Sequence, residues 1–129
     1  MRYMLLIHQG TAPTPRTPDE WERLPEDERQ AIYADYRAIG ETRGVSPGVQ
    51  LDEPETATTV RVEDGRTLTT DGPFVETKEW LVGFWILECA SEQRAFEIAA
   101  RASAAPGPGG APLNMPIQVR QVMPGPPAR

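Results

Sequence analysis

Residues 82–89 read Val82-Gly83-Phe84-Trp85-Ile86-Leu87-Glu88-Cys89, the most apolar stretch of the chain. Both alternating faces of this stretch are apolar until Glu88, which is typical of a strand that is covered on both sides. Residues 2–8 show the same pattern up to His8. Two such strands indicate a sheet that has them at its centre.

The segments between these two strands predict one helix and one β-hairpin. The segment from Pro25 onward begins with proline and acidic residues and carries an apolar stripe of Ile32, Tyr36 and Ile39, as expected of a helix that ends at Gly40 or Gly44. Residues 56–70 are rich in β-branched residues around Asp64-Gly65, a strong hairpin turn signal. We expect this hairpin to form an edge of the sheet, and we expect residues 45–54 to be irregular.

A second helix and a last strand follow the central strand. Ser91 is the predicted N-cap of a helix that ends near Ala104, and Phe96 and Ile98 are among its expected inward residues. Residues 117–123 alternate and predict the closing strand. We expect one domain over residues 1–123 and a C-terminal tail at residues 124–129.

The order β, α, β-hairpin, β, α, β predicts an α+β fold of the ferredoxin-like βαββαβ type with an extra edge hairpin. Right-handed crossovers place both helices on one face of an antiparallel sheet. The opposite face would then be apolar and uncovered, which usually indicates a partner surface. The simplest partner is a second copy, so the sequence predicts a homodimer.

Composition and charge exclude several classes of function. The 129 residues carry a net charge of −6, whereas non-specific nucleic-acid binding requires a basic surface. No apolar run is long enough to span a membrane, and the run at residues 3–7 is too short for a signal peptide. The single Cys89 is consistent with a reducing compartment, so we expect a cytoplasmic protein.

The predicted topology brings several segments to one rim of the sheet. The two central strands run antiparallel, so His8 at the end of the first lies beside Leu81 at the start of the other. The connection from Asp71 to Trp80 enters at that end, and the last strand begins there near Met115-Pro116. We therefore predict a ligand site at this rim.

The motif Asp71-Gly72-Pro73-Phe74, followed by Glu76, Lys78 and Glu79, resembles the signature of the DGPF group within the YCII-related domain proteins. The first strand, the Asp64-Gly65 hairpin and the segment 119–123 resemble that group as well, so the match spans nearly the whole chain. Segments 11–18 and 105–116 look longer than is usual in that group, and many relatives have an aromatic residue in place of His8.

The resemblance implies a dimeric α/β barrel built from ferredoxin-like subunits. It also implies a largely unassigned activity: a His–Asp pair has been suggested as catalytic for the wider group. Some members of the DGPF group are encoded beside extracytoplasmic-function sigma factors, which suggests a sigma factor or another protein as a possible partner.

The residues themselves leave structural and functional interpretations open. His8, the only histidine, could be a core residue or a general base, and Asp71 could hold a turn or orient the imidazole. The candidate ligand-binding residues are in the motif: Gly72, Pro73, Phe74, Glu76, Lys78 and Glu79. Gly72, Pro73 and Phe74 also suit a turn that leads into the core, and the three charged residues also suit a solvated face.

The aromatic residues also allow a structural and a functional interpretation, whereas the sequence contains no metal or cofactor motif. Trp80, Phe84 and Trp85 are more typical of a core or a dimer interface, although an aromatic residue at the rim could flank a planar ligand. One histidine and one cysteine give no metal-ligand spacing, and no phosphate-binding glycine loop is present, so no metal or cofactor is expected.

Two hypotheses of function follow. The first is a ligand-binding or accessory protein without catalysis, for which the resemblance suggests a link to regulation through a sigma factor. The second is a small enzyme that acts on a small organic substrate, with His8 as base and Asp71 as its orienting group. Because no catalytic set is complete in the sequence, the binding hypothesis is preferred.

Overall fold

The computed structural model describes residues 1–10, 18–72 and 80–125. Two short 3₁₀ helices, Pro54–Thr56 and Pro108–Gly110, lie in connections. The α-helices and β-strands are β1 (Arg2–His8), α1 (Pro18–Arg23), α2 (Glu26–Gly40), β2 (Val49–Gln50), β3 (Thr58–Glu63), β4 (Arg66–Asp71), β5 (Leu81–Glu88), α3 (Glu92–Ser103) and β6 (Ile117–Gln121).

The main sheet has four strands in the order β2-β5-β1-β6, and all neighbouring strands are antiparallel. With the hairpin set aside, this is the strand order of a ferredoxin-like fold, so the predicted α+β class is confirmed. The predicted central pair is also confirmed, because β1 pairs with β5 from Arg2↔Glu88 to His8↔Leu81. The chain order and the alternation of apolar residues were sufficient to predict this centre.

Both long helices cover one face of the sheet, as predicted. Leu5, Ile39 and Leu87 have no exposed surface, and they lie in a single core contributed by β1, α2 and β5. Helix α3 begins at the predicted N-cap, where Ser91 Oγ accepts a hydrogen bond from the Arg94 N–H at 3.2 Å. Its buried side chains are Ala95, Ile98, Ala99 and Ala102.

Phe96 differs from the prediction, since 46% of its surface is exposed. The helix turns its small residues toward the sheet, and Phe96 is one position away from the buried Ala95. Small inward side chains let α3 approach the sheet closely, which leaves no space for a phenyl ring at that level.

The predicted hairpin is confirmed, but its position in the fold is different. Strands β3 and β4 pair only with each other and form a separate two-stranded sheet. The edge of the main sheet is instead β2, within the segment 45–54 that was expected to be irregular. Gly83 allows this pairing, because a Cβ there would clash with the backbone carbonyl of Val49.

The second face of the main sheet carries no helix among the described residues. The pairs Leu6↔Phe84 and Met4↔Ile86 lie on this face, opposite the core, and all four side chains are partly exposed. Within the described part of the chain, helices therefore cover the central strands on one side only, although their sequences are apolar on both sides.

Candidate functional site

An open cavity of about 860 Å³ lies between helix α2 and the β5–β2 side of the sheet. On this side Tyr36 of α2 lies against Trp85 of β5, whereas most of the buried residues of α3 are alanines. The lining is strongly aromatic, and it includes all three tryptophans of the chain. The aromatic lining residues are Trp21, Tyr33, Tyr36, Trp80 and Trp85; Phe84 of β5 also borders the cavity, but strand alternation directs its side chain to the other face.

Two aromatic pairs build the wall nearest the helices. The ring of Trp21 from α1 stacks on Tyr33 of α2, with ring centroids 5.3 Å apart and planes 27° apart. The ring centroid of Tyr36, one turn further along α2, lies 6.1 Å from the ring centroid of Trp85 of β5. Burial, with a smaller contribution from the Asp35 carboxylate, raises the pKa of the Tyr36 hydroxyl above its usual value. Tyr36 is therefore neutral at physiological pH.

The end of the cavity at the sheet rim is formed by residues that follow β1 and precede β5. Ile7 and Gln9 both line the cavity, and Gln9 is only 7% exposed. The Gln9 backbone N–H donates a hydrogen bond to the Trp80 carbonyl at 2.9 Å. This bond fixes the position of Trp80 immediately after the segment 73–79, which lies outside the described residues.

The segment 47–54 closes the side of the cavity beyond β5. Gly48 is packed against the indole of Trp85, where a Cβ could not be accommodated. The Leu51 N–H donates to the Val82 carbonyl at 2.8 Å, so the chain continues antiparallel to β5 toward its Trp80 end. Asp52 and Glu53 follow and also line the cavity.

Glu53 carries an unusual feature. Its side-chain Oε1 is buried and has no hydrogen-bond partner. The charged residues that line the described part of the cavity are Arg37, Glu41, Asp52 and Glu53, three carboxylates against one guanidinium. The cavity is thus apolar over most of its wall and negative at its edge.

His8 lies at the predicted rim but on the other face of the sheet. Its backbone N–H donates to the Pro116 carbonyl at 2.9 Å, and it pairs with Leu81, so the predicted convergence of these segments is confirmed. Because Ile7 and Gln9 line the cavity, strand alternation directs the half-buried His8 away from it. His8 lines a separate shallow depression with Pro116, Ile117 and Gln118.

Asp71 and Gly72 end the hairpin. Asp71 is exposed and pairs with Thr58, while the Gly72 N–H donates to the Ala57 carbonyl at 2.7 Å. Gly72 has a φ of 96°, a conformation that favours glycine, which agrees with its predicted role in a turn. His8 therefore belongs to the four-stranded sheet and Asp71 to the two-stranded sheet. Their pairing as a catalytic dyad stays a prediction.

The other predicted ligand-binding residues lie outside the described residues: Pro73, Phe74, Glu76, Lys78 and Glu79. Sequence reasoning did not select Trp21, Tyr33, Gln9 or Glu53 as site residues. Tyr33 adjoins the predicted apolar stripe of α2, which was a usable signal. Glu53 lies in a segment without periodicity, so only the folded chain brings it to the cavity.

No group of three or more His, Cys, Asp or Glu side chains is arranged to hold a metal ion among residues 1–10, 18–72 and 80–125. In the same part of the chain, no helix combines the length and the apolar character that a transmembrane span requires.

Comparison with known proteins places the chain in a family. The sequence profile of the YCII-related domain matches residues 1–109. An uncharacterised protein of Rhizobium meliloti (strain 1021) is 35% identical over 101 residues, which cover 77% of this chain and 77% of that protein. The chain therefore belongs to the YCII-related domain family. The match does not specify a subgroup, so the resemblance to the DGPF group stays a prediction.

Proposed function

We propose that this YCII-related protein binds a small organic ligand in the cavity between α2 and β5, at the rim of the sheet. The observation that carries the proposal is the cavity itself, about 860 Å³ with an aromatic lining and a few polar groups. Ligand sites usually enclose about 300–1,000 Å³ and combine apolar walls with a small number of polar side chains.

The position of the cavity supports the proposal that the rim is a binding site. Gln9 and Trp80, which line it, lie where the first strand ends and where the motif segment rejoins the sheet. The segment that contains Pro73, Phe74, Glu76, Lys78 and Glu79 ends at Trp80. A ligand in the cavity would therefore lie close to one end of that motif.

A blocking variant tests the proposal. Gly40→Phe adds a side chain from α2 at a position that lines the cavity, where a Cβ meets no atom within 4 Å. Ala34→Phe is the control, because Ala34 is exposed on the same helix and does not line the cavity. The readouts are thermal shift against a metabolite library and tryptophan fluorescence, since all three tryptophans line the site.

A ligand at a hundred times its dissociation constant should stabilise the native protein by about 2.7 kcal/mol. We expect that shift in the wild type and in Ala34→Phe, and its loss in Gly40→Phe with an unchanged circular dichroism spectrum. A ligand that stabilises both variants equally would bind elsewhere and would contradict the proposal.

A second candidate function is acid–base catalysis by His8, with Asp71 as its orienting group. The position of His8 beside a shallow depression favours it, because a general base must lie within hydrogen-bond reach of a bound substrate. Replacement of His8 by Ala should abolish turnover and leave the fold intact. A pH–rate profile without a group that titrates near neutrality would exclude this function.

The bare face of the sheet supports the predicted homodimer. Met4, Leu6, Phe84 and Ile86 form an apolar patch on it, and a second copy would cover this patch by face-to-face packing. Leu6→Glu should shift the sedimentation coefficient from dimer to monomer at micromolar concentration. Gln93→Glu, at an exposed position of α3 on the opposite side of the sheet, is the matched control and should leave the dimer intact.

An accessory role in sigma-factor-linked regulation rests on the resemblance to the DGPF group alone. The net charge of −6 favours a basic protein partner over nucleic acid. A pull-down with the purified sigma factor encoded nearest to the gene would test it, and turnover without such binding would exclude it. A cytoplasmic location remains part of this proposal, and fractionation of cells checks it.

A further inference from the structure

We propose that the ligand of the cavity is an uncharged molecule with a flat aromatic ring system and a hydrogen-bond acceptor, such as a carbonyl oxygen, that pairs with the Tyr36 hydroxyl. This inference rests on the proposed function, because it names the chemical class of ligand that the same site would bind. It follows from three features of the cavity: aromatic rings that remain accessible, a hydroxyl donor without a protein partner, and charged lining side chains that are exposed to solvent.

Most of the aromatic rings that line the cavity are not core residues. Four of the five keep accessible surface: Trp21, Tyr33, Tyr36 and Trp80. Tyr33 is 46% exposed, whereas Trp85, which does belong to the core, is 5% exposed. Packing of the core therefore accounts for the ring of Trp85 and leaves the other four available for contact with a ligand.

The accessible rings are held in place by contacts within the protein. Trp21 and Tyr33 form a stacked pair, with planes 27° apart, and the Trp80 carbonyl accepts a hydrogen bond from the Gln9 N–H at 2.9 Å. Aromatic rings favour stacked or edge-to-face contacts with one another beyond the burial of their area. A flat aromatic ligand would gain both contributions, and a saturated ligand of the same size would gain burial alone.

The Tyr36 hydroxyl is a donor that the protein leaves unused. No described residue is hydrogen-bonded to this hydroxyl, and it is not among the fully buried polar atoms that lack a partner, so it keeps accessible surface. Its ring lies against Trp85, which fixes its position in the cavity wall. Because burial raises the pKa of this hydroxyl, the proton is present at neutral pH and can be donated to an acceptor atom of a ligand.

The charged residues of the described lining favour a neutral ligand. Arg37, Glu41 and Asp52 are exposed, so water and salt screen their charges. The Glu53 Oε1 atom has no accessible surface and does not reach the open space. A charged ligand would lose its hydration against the aromatic wall without gaining a buried counter-charge from the described lining, which is unfavourable.

Three probes of matched size test the proposal: 2-acetylnaphthalene, 2-acetyldecahydronaphthalene and 2-isopropenylnaphthalene. The first is an aromatic ketone, the second carries the ketone on saturated rings, and the third replaces the ketone oxygen by a methylene group. Equilibrium dialysis with chromatographic quantification gives each dissociation constant. We expect the aromatic ketone to bind about ten-fold more tightly than the saturated ketone and about five-fold more tightly than the alkene. Burial of apolar area alone predicts no preference for the aromatic ketone.

Two sets of variants assign each preference to its side chains, and circular dichroism checks their fold. Tyr36→Phe removes the hydroxyl and should reduce the ketone-to-alkene ratio to near one, whereas Tyr3→Phe, away from the cavity, should keep it. The combined change Trp21→Leu and Tyr33→Leu should lower the aromatic-to-saturated ratio about three-fold, because it replaces the stacked pair by aliphatic side chains. Phe96→Leu, at an exposed residue of α3 that does not line the cavity, should keep that ratio.

The outcomes separate this inference from the proposed function. Equal binding of the two ketones by the wild type, or an undiminished ketone-to-alkene ratio in Tyr36→Phe, would overturn the inference while the cavity remains a binding site. An aromatic preference that survives the loss of Trp21 and Tyr33 would overturn it as well, and so would failure of all three probes to bind. The proposed function fails only when, in addition, no library compound gives a shift that Gly40→Phe removes.

Discussion

The two faces of the main sheet carry similarly apolar side chains, but among the described residues the helices cover only one of these faces. Leu5 and Leu6 are consecutive leucines of β1: Leu5 has no exposed surface, because it packs under the helices, whereas Leu6 on the other face is partly exposed. The same contrast holds on β5 between the buried Trp85 and its neighbours Phe84 and Ile86. An apolar residue in a central strand is therefore not necessarily buried within the single chain.

The covered face is itself divided into two halves. Over β1 and β6, helix α3 packs closely through Ala95, Ala99 and Ala102. Over β5 and β2, helix α2 leaves the aromatic cavity between itself and the sheet. Close packing stabilises the fold, and the looser half provides the space that the proposed function requires.

The largest effect should come from substitutions that compare the two leucines of β1. Leu5→Ala removes a fully buried side chain, so it should lower the free energy of unfolding by about 2–5 kcal/mol. Leu6→Ala should cost about 1 kcal/mol, since its side chain is only partly buried in the single chain. Urea denaturation measures both, at a protein concentration at which sedimentation shows a monomer. Equal losses of unfolding free energy in Leu5→Ala and Leu6→Ala would contradict the difference in burial between the two faces.

A smaller effect is expected at the contact between β5 and the edge strand β2. Gly83→Ala places a Cβ against the Val49 carbonyl, so the free energy of unfolding should fall by about 1–3 kcal/mol. Thermal denaturation checks this value, and the affinity of any cavity ligand should fall with it. Gly125→Ala is the control, since its Cβ meets nothing within 4 Å. An unchanged stability of Gly83→Ala would mean that β2 is not held against β5.

Tyr36 in the cavity wall should make the free energy of unfolding depend on pH. Burial raises the pKa of the Tyr36 hydroxyl in the folded protein, so the unfolded protein loses this proton first. The resulting stabilisation is complete below about pH 10, the ordinary pKa of tyrosine, and is lost as the pH rises through the higher folded pKa. Tyr36→Phe should therefore lose less stability than the wild type between pH 9 and pH 11, about the range that denaturation can cover. If the free energy of unfolding depended on pH identically in the wild type and in Tyr36→Phe, Tyr36 would not be buried in solution.

The described residues cover neither face of the hairpin, so substitutions there should have the smallest effect. Val60 is 60% exposed, so Val60→Thr should change the free energy of unfolding by less than about 0.5 kcal/mol. Val119→Thr, on the core-facing side of β6, is the matched control and should cost more. If Val60→Thr costs as much as Val119→Thr, the hairpin is packed against another surface in solution.

The sequence predicted the elements whose signal is local. The apolar runs of β1 and β5, the Asp64-Gly65 turn and the Ser91 N-cap each depend on neighbouring residues, and each is confirmed. The cavity was not predicted, because Trp21, Gln9 and Glu53 are far apart in the sequence and none of them belongs to a recognisable motif. The place of β2 was missed for a related reason: its two residues pair with β5 only through the close approach at Gly83.

By itself, the sequence determined the order of the elements, the two central strands and the rim at which the segments converge, since alternation and chain order are properties of short segments. Only the tertiary structure decided which side of the rim each residue occupies. Ile7 and Gln9 line the cavity and His8, between them, lines the opposite depression, because strand alternation separates neighbours once one face is covered by helices. The orphaned oxygen of Glu53 is likewise a product of packing, because burial and hydrogen bonding at a side chain depend on residues brought together from distant parts of the chain.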